Sequence, residues 1–144
     1  MSSYPIKILV DGVAAGAPLI LDEPLSFWGG LDPHSGEVID RRHPQSGATV
    51  TGRVLFLPSG RGSSSASSIL MEAVHDKSAP AALVMAEADG ILALGAIVAQ
   101  EVYGRSLPVV VLSPEDYAAV ISTIKLHSKL VIEISDHLLH LKHL

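Results

Sequence analysis

The sequence predicts an α/β domain with a partly parallel central sheet and helices packed against it. Short apolar runs at 6–10, 81–86, 107–112 and 130–134 read as strands. Stretches at 63–76, 91–103 and 114–124 carry apolar residues at helical spacing. In the second half these alternate helix, strand, helix, strand, helix, strand, the order of crossover units in a parallel sheet.

Taken along the chain, Ile6–Val10 is strand-like and Asp11-Gly12 follows as a turn signal. Ala17–Leu21 reads as a second short strand. Asp22–Gly47 is rich in Pro, Gly, Asp and Ser, with a short strand expected at Glu37–Asp40; so long a loop in a compact domain usually has a job or a partner. Thr49–Leu57 reads as one strand bent at Gly52, which enters the core and runs straight into Pro58-Ser59-Gly60-Arg61-Gly62. Ser63–Asp76 follows with Ile69, Leu70, Ala73 and Val74 on one helical face, and Pro80 stops the region. Ala81–Ala86 is an apolar strand. Asp89-Gly90 reads as turn and cap, Ile91–Tyr103 as a helix and Gly104 as its C-cap. Val109-Val110-Val111 marks a buried strand. Ser113-Pro114-Glu115-Asp116 then starts a helix, with a serine cap, an early proline and acids at the positive end. Leu130–Ile134 is read as the closing strand.

The chain has 144 residues, which fits a single domain spanning 1–144 with a core of its own. Hydrophobic residues make up 48% and charged residues 17%, which excludes a disordered chain and favours a buried interface. A net charge of -5 without a basic run argues against nucleic acid as a partner. The absence of cysteine excludes disulfides and cysteine-ligated zinc or iron–sulfur centres within this chain. Met1-Ser2-Ser3-Tyr4-Pro5 lacks a signal-peptide pattern, and no apolar run approaches the ~20 residues of a membrane span. The expectation is a soluble, cytoplasmic protein with no membrane partner.

Chemistry is expected at Gly60-Arg61-Gly62-Ser63-Ser64-Ser65, which follows an apolar strand and opens a helix. Glycines allow sharp turns and close approach, and a helix N-terminus offers free N–H groups and a positive dipole end. Arg61 adds a permanent cation, and the serine hydroxyls can donate to carboxylate or phosphate oxygens. A serine here can also move protons if N–H donors and positive charge stabilise its alkoxide. The plainer reading is that Ser63 or Ser64 caps the helix while the glycines shape the turn. The loop is not a Walker loop, a Gly-x-Gly-x-x-Gly loop or a nucleophile elbow.

The runs Pro24–Gly30, Asp32-Pro33, Ile39-Asp40-Arg41, His43-Pro44, Gly60–Ser64 and Ile91–Ile97, in that order, resemble the small subunit of the aconitase-X group, over roughly Pro24 to Leu112. The resemblance implies a swivelling β/β/α domain similar to the mobile domain of aconitase. It implies a separate large subunit holding an iron or iron–sulfur centre and most substrate contacts, with no metal bound by this chain. It implies Ser63, the first serine after Gly-x-Gly, as the base that removes a carbon-bound proton, with Arg61, Gly62 and Ser64 contacting the substrate. Aconitase places an arginine after its two serines; here Ser65 and Ala66 stand there, so a tricarboxylate substrate is not expected, and Arg61 supplies charge instead. The hydroxy acids implied are cis-3-hydroxy-L-proline, favoured here, and mevalonate 5-phosphate. The rival from another class is a stand-alone module whose loop holds an anion without reaction.

Other residues leave alternatives open. Trp28 is either an aromatic wall at an interface or over the site, or a side chain folded on the core edge. His43-Pro44 either donates to a substrate or sets a turn at the surface, the turn being favoured. Asp32, Asp40, Arg41 and Arg42 read as solvated or paired charges. His137, His140 and His143 recur every three residues, which on a helix lines one side; a frayed terminal helix or interface tail is favoured over a metal site.

Overall fold

The computed structural model describes residues 2–60 and 64–144. Its elements are β1 (Ser2–Pro5), β2 (Lys7–Val10), β3 (Ala14–Gly16), β4 (Pro18–Ile20), the single turn α1 (Phe27–Gly30), β5 (Val54–Leu57), α2 (Ala66–His75), β6 (Ala82–Met85), α3 (Gly90–Tyr103), β7 (Val109–Val111), α4 (Pro114–Leu126), β8 (Leu130–Ser135) and β9 (Leu138–His143). One sheet has the order β2-β7-β6-β5-β4, with β4 to β7 parallel and β2 antiparallel at the edge. The other, β1-β9-β8-β3, is antiparallel throughout.

The layers follow from strand alternation, because successive side chains point to opposite faces. Leu55 and Leu57 of β5 pack with Leu83, Met85 and the inner faces of α2 and α3. Val54 and Phe56 pack the other way, against Ile132, Ile134, Leu139 and Leu141 of the second sheet and Val120 of α4. The parallel sheet is thus buried on both sides, which is why its strands read as unbroken apolar runs. The resulting β/β/α stack is the expected fold class.

Three local expectations change. Thr49–Leu57 is not one bent strand: Thr51–Arg53 is a turn, with Gly52 at φ +69° donating to Ala79 O, and only Val54–Leu57 pairs in the sheet. β3 was not expected, since Ala14-Ala15-Gly16 lacks the β-branched signal; its pairing with β8 defines it. The tail is a strand, not a helix. β9 folds back on β8 through Asp136 and His137, both left-handed at φ 52° and 61°, the two-residue hairpin geometry. On a strand a spacing of three puts His140 and His143 on opposite faces, while His137 sits in the turn. A left-handed histidine carries a steric cost that glycine lacks. His137→Gly is therefore expected to raise stability by about 0.5–1 kcal/mol, or about 2–4 °C in Tm. Thermal melting followed by circular dichroism checks this; an unchanged or lower Tm contradicts it.

The long segment Asp22–Gly47 is not a solvated loop. Leu25, Phe27, Leu31 and Val38 are all in the core. Its two ends are clamped by a reciprocal pair: Gln45 Oε1 accepts from Asp22 N, and Gln45 Nε2 donates to Asp22 Oδ2, both at 2.8 Å. At its tip His34 reaches across to Asp76 and Glu72 near the end of α2. The Asp76 hydrogen bond raises the His34 pKa above 6.5, and hydrogen bonds from His75 and His34 hold Asp76 below 3.8. A raised histidine stabilises fully below 6.5 and loses its contribution as pH rises through its folded value. A depressed carboxylate stabilises above 3.8 and loses its contribution as pH falls through its folded value. The latch should therefore be fully formed between pH 3.8 and 6.5 and weaken above. Titration of the His34 ring by NMR should give a midpoint above 6.5; one at or below it contradicts the latch.

Candidate functional site

The parallel strands all point the same way, and the loops that leave their carboxyl ends meet. In open α/β sheets this edge is where ligands bind. Pairing continues past the strands: Leu21 N donates to Phe56 O (2.8 Å), Glu87 N to Pro58 O (3.1 Å) and Leu112 N to Met85 O (3.0 Å). Leu25 and Gly60 then form a parallel bridge. Gly60 is thus held in line with β5 from one side.

Asp89 closes the other side. Its Oδ1 accepts from Ile91 N (2.9 Å) and Leu92 N (3.1 Å), capping α3 as expected. Its other oxygen lies so close to Gly60 that a Cβ there would overlap it. Gly60 does not have a positive φ, so glycine is needed here for space. The Asp-Gly pair was read only as a cap; nothing local in the sequence shows that its free oxygen rests on the glycine loop.

Beyond the loop, α2 begins at Ala66, with Ser65 in the cap position. Ser65 O accepts from Ser68 N (3.1 Å) and Ile69 N (3.2 Å). Ser64 is exposed, and its carbonyl accepts from Ser67 Oγ (3.0 Å). The cap position therefore falls on Ser65 rather than Ser64. Arg61, Gly62 and Ser63 lie outside the described residues, between these two anchors.

Trp28 is 60% exposed, while its neighbour Phe27 is fully buried, so the tryptophan is not folded on the core edge. It stands three residues after Leu25, whose backbone pairs with Gly60. His43 corrects an expectation: it serves a turn, but a buried one, 6% exposed. Its Nδ1 accepts from Gln45 N (3.0 Å), so its Nε2 carries the proton and donates to Glu23 O (2.9 Å). Both nitrogens are used in holding the long segment, which leaves none for a substrate. Asp32 and Asp40 accept from the backbone N–H groups of His34 and Arg42.

Among the described residues, one group of His and carboxylates has ligand atoms within 4.8 Å of one another: His34, Glu72 and Asp76, all exposed. It lies at the opposite end of α2 from Ser65, about 15 Å away by helical rise, and is internally paired. It is not part of this site. The chain offers no thiolate for an iron–sulfur cluster. Among the described residues no helix is long and apolar enough to cross a membrane.

Residues 3–138 match the family model described as the aconitase X swivel domain. The chain is 55% identical over 103 residues to a cis-3-hydroxy-L-proline dehydratase of Pseudomonas aeruginosa, a match covering 72% of this chain and 18% of that protein. It is 41% identical over 93 residues to a phosphomevalonate dehydratase small subunit of Methanothermobacter thermautotrophicus, covering 65% of this chain and 71% of that one. The fold is similar to the crystal structure of Thermococcus kodakaraensis aconitase X in its holo-form, with a TM-score of 0.82 at 25% identity, over 99% of this chain and 100% of that chain. The match to the bacterial dehydratase spans about a fifth of that relative's length.

Proposed function

This chain belongs to the aconitase X swivel-domain family, and from that premise we propose that it is the swivelling small subunit of a heteromeric hydro-lyase acting on cis-3-hydroxy-L-proline. The observation that carries the substrate is the 55% identity to a dehydratase of that name. The position of Gly60, which opens the glycine–serine loop, at the carboxyl edge of the parallel sheet supports a site there.

The partner subunit would hold the iron centre, which when bound supplies polarisation of the leaving hydroxyl. This chain's part is proton transfer. Ser63 Oγ, as alkoxide, takes the proton from the carbon beside the carboxylate. The electron pair of that C–H bond forms a carbon–carbon double bond, the adjacent C–O bond breaks, the departing hydroxide takes a proton from solvent and leaves as water, and Ser63 gives its proton back to solvent to restore the alkoxide. The product is a pyrroline-2-carboxylate. The N–H groups of Gly62 and Ser64, with Arg61 and the N-terminal end of α2, stabilise the negative charge before and after transfer. Swivelling of the domain opens and closes the site.

A second named relative favours a second reading. The chain is 41% identical over 93 residues to an archaeal protein named phosphomevalonate dehydratase small subunit, which supports mevalonate 5-phosphate as the alternative substrate. The deciding experiment is co-expression with the large-subunit partner, followed by assays on cis-3-hydroxy-L-proline and on mevalonate 5-phosphate. Turnover of the first supports the proposal. Turnover of the second alone moves the substrate to the alternative. Activity on neither, with tight anion binding by the isolated chain, favours the non-catalytic module.

A further inference from the structure

At the amino end of the parallel strands, opposite Gly60, the edge strand β2 carries an extra residue. β2 and β7 pair at Ile8 with Val110 and at Val10 with Val109, so two steps along β2 match one along β7. This is a β-bulge. Its effect shows in the packing. Ile6 and Ile8 face the layer between the two sheets, together with Val110 and Ile134, whereas Leu9 and Val10 both pack on the helical side. Regular alternation would return the residue two after Ile8 to the inter-sheet layer. The bulge turns Val10 away, and Ala14, the next residue of that layer, is small. Beside Ile8 this leaves a crevice of about 210 Å³, with the buried Val110 and Ile134 as its floor.

The rim of the crevice is acidic. Asp11, Asp136 and His137 stand around it, all exposed. Asp11 accepts from the adjacent Gly12 N at 2.8 Å. Among the described residues no lysine or arginine pairs with either aspartate, and the side chains of Asp136 and His137 make no hydrogen bond. These two residues are held in place at a cost. Both have left-handed φ, 52° and 61°, in a turn for which Asn-Gly is the low-strain choice. Strain of this kind persists where it positions side chains for use, and here it sets two polar groups over an apolar floor. Gly12 fixes the opposite wall: a Cβ there would meet Pro108 Cγ at 2.8 Å, so the chain lies directly on the entry to β7.

We propose that this crevice binds a small hydrophobic amine, with its ammonium group between Asp11 and Asp136 and its hydrocarbon body on Ile8, Val110 and Ile134. The volume sets the size. An apolar cavity of about 150 Å³ takes benzene, so this one takes a body of roughly six to eight carbons. The rim sets the sign, because two carboxylates without a counter-charge attract a cation beside an apolar surface. An amino acid does not fit, since its own carboxylate would face both aspartates. The site is therefore distinct from one that takes a hydroxy acid, and it does not rest on the catalytic reading of the serine loop. A ligand here touches β2 of one sheet and Ile134 of β8 in the other, and so ties the two sheets together.

Binding is tested on the full chain and on the two-chain complex, with benzylamine as the probe and amide NMR shifts as the readout. Saturable binding with a Kd of about 1 mM or tighter is expected, with shifts centred on residues 8–11 and 134–137. Toluene, the same body without the charge, should bind at least about tenfold more weakly, and benzoate, with the charge reversed, should not saturate. Asp11→Asn with Asp136→Asn, both at exposed positions, should raise Kd at least about tenfold while Tm stays within about 2 °C. Ile8→Phe, which puts a ring into the crevice, should raise Kd as much. No saturation by about 50 mM benzylamine overturns the proposal. So does an unchanged Kd in the double asparagine variant, or benzoate bound as tightly as benzylamine. Binding to the chain that disappears in the complex also overturns it, since the crevice then receives a side chain of the partner and not a free amine.

Discussion

Replacing Ser63 with alanine in the two-chain enzyme is expected to lower kcat about 10²–10⁴-fold while KM stays within a few fold. The substitution removes one oxygen and keeps the backbone N–H. In the proposed mechanism, substrate contacts through Arg61 and the neighbouring amides therefore remain. An interaction that matters only while the proton moves affects the transition state and not the ground state, so the loss falls on kcat. In free energy this is about 3–5 kcal/mol. Ser64→Ala is the internal comparison. In the proposed mechanism Ser64 contributes its amide and not its hydroxyl, so that variant should keep turnover to within about tenfold. Steady-state kinetics on cis-3-hydroxy-L-proline read both. A Ser63→Ala enzyme within threefold of wild type, or a larger loss in Ser64→Ala, moves the base elsewhere.

How far the sequence showed this architecture depends on whether the signal was local. β6, β7, α3 and α4 were legible because each is written in its own residues: unbroken apolar runs for strands buried on both faces, Asp89 and Ser113 for the caps, Gly104 for the α3 terminus. β9 was not, because Leu138–His143 with its histidines fits a helix equally well until the Asp136-His137 turn is known to reverse the chain onto β8. The long segment misled in another way. Its proline, glycine and serine content reads as loop, yet Leu25, Phe27, Leu31 and Val38 reach the core one at a time, at spacings that change from one to the next and hold to no single period. His43 was misplaced for the same reason: its partners, Glu23 O and Gln45 N, become neighbours only when the segment closes on itself. At the site, the strand–loop–helix context was readable and the helix start was not, since any of three successive serines could serve as the cap. The contact between Asp89 and Gly60 joins residues 29 apart in number and leaves no trace in either local pattern.

That contact makes the second large prediction. Gly60→Ala places a methyl group where the second carboxylate oxygen of Asp89 lies. Something must move, and either response is costly. If Asp89 swings away, α3 loses the acceptor for Ile91 N and Leu92 N, worth about 1 kcal/mol for an N-cap. If Gly60 moves instead, the bridge to Leu25 breaks and the segment leading to Ser63 shifts with it. A displacement of about 1 Å at a reacting group costs on the order of 10²-fold in rate. The expected outcome is a loss of about 1–2 kcal/mol in stability, about 3–6 °C in Tm, together with about a 10²-fold fall in turnover by the complex. Alanine has no backbone difficulty at this position, because φ is not positive. The cost is therefore steric, and it should depend on Asp89. In an Asp89→Ala background the overlapping oxygen is gone and the next neighbour, Leu92 Cδ1, stands at an ordinary 3.5 Å. Gly60→Ala should then add little, and the two substitutions should be non-additive by about 1 kcal/mol in stability. Melting curves for the four members of that cycle, with turnover measured on each, decide the matter. Strict additivity would mean that Asp89 caps α3 and nothing more, and that the glycine loop takes its position from β5 and Leu25 alone.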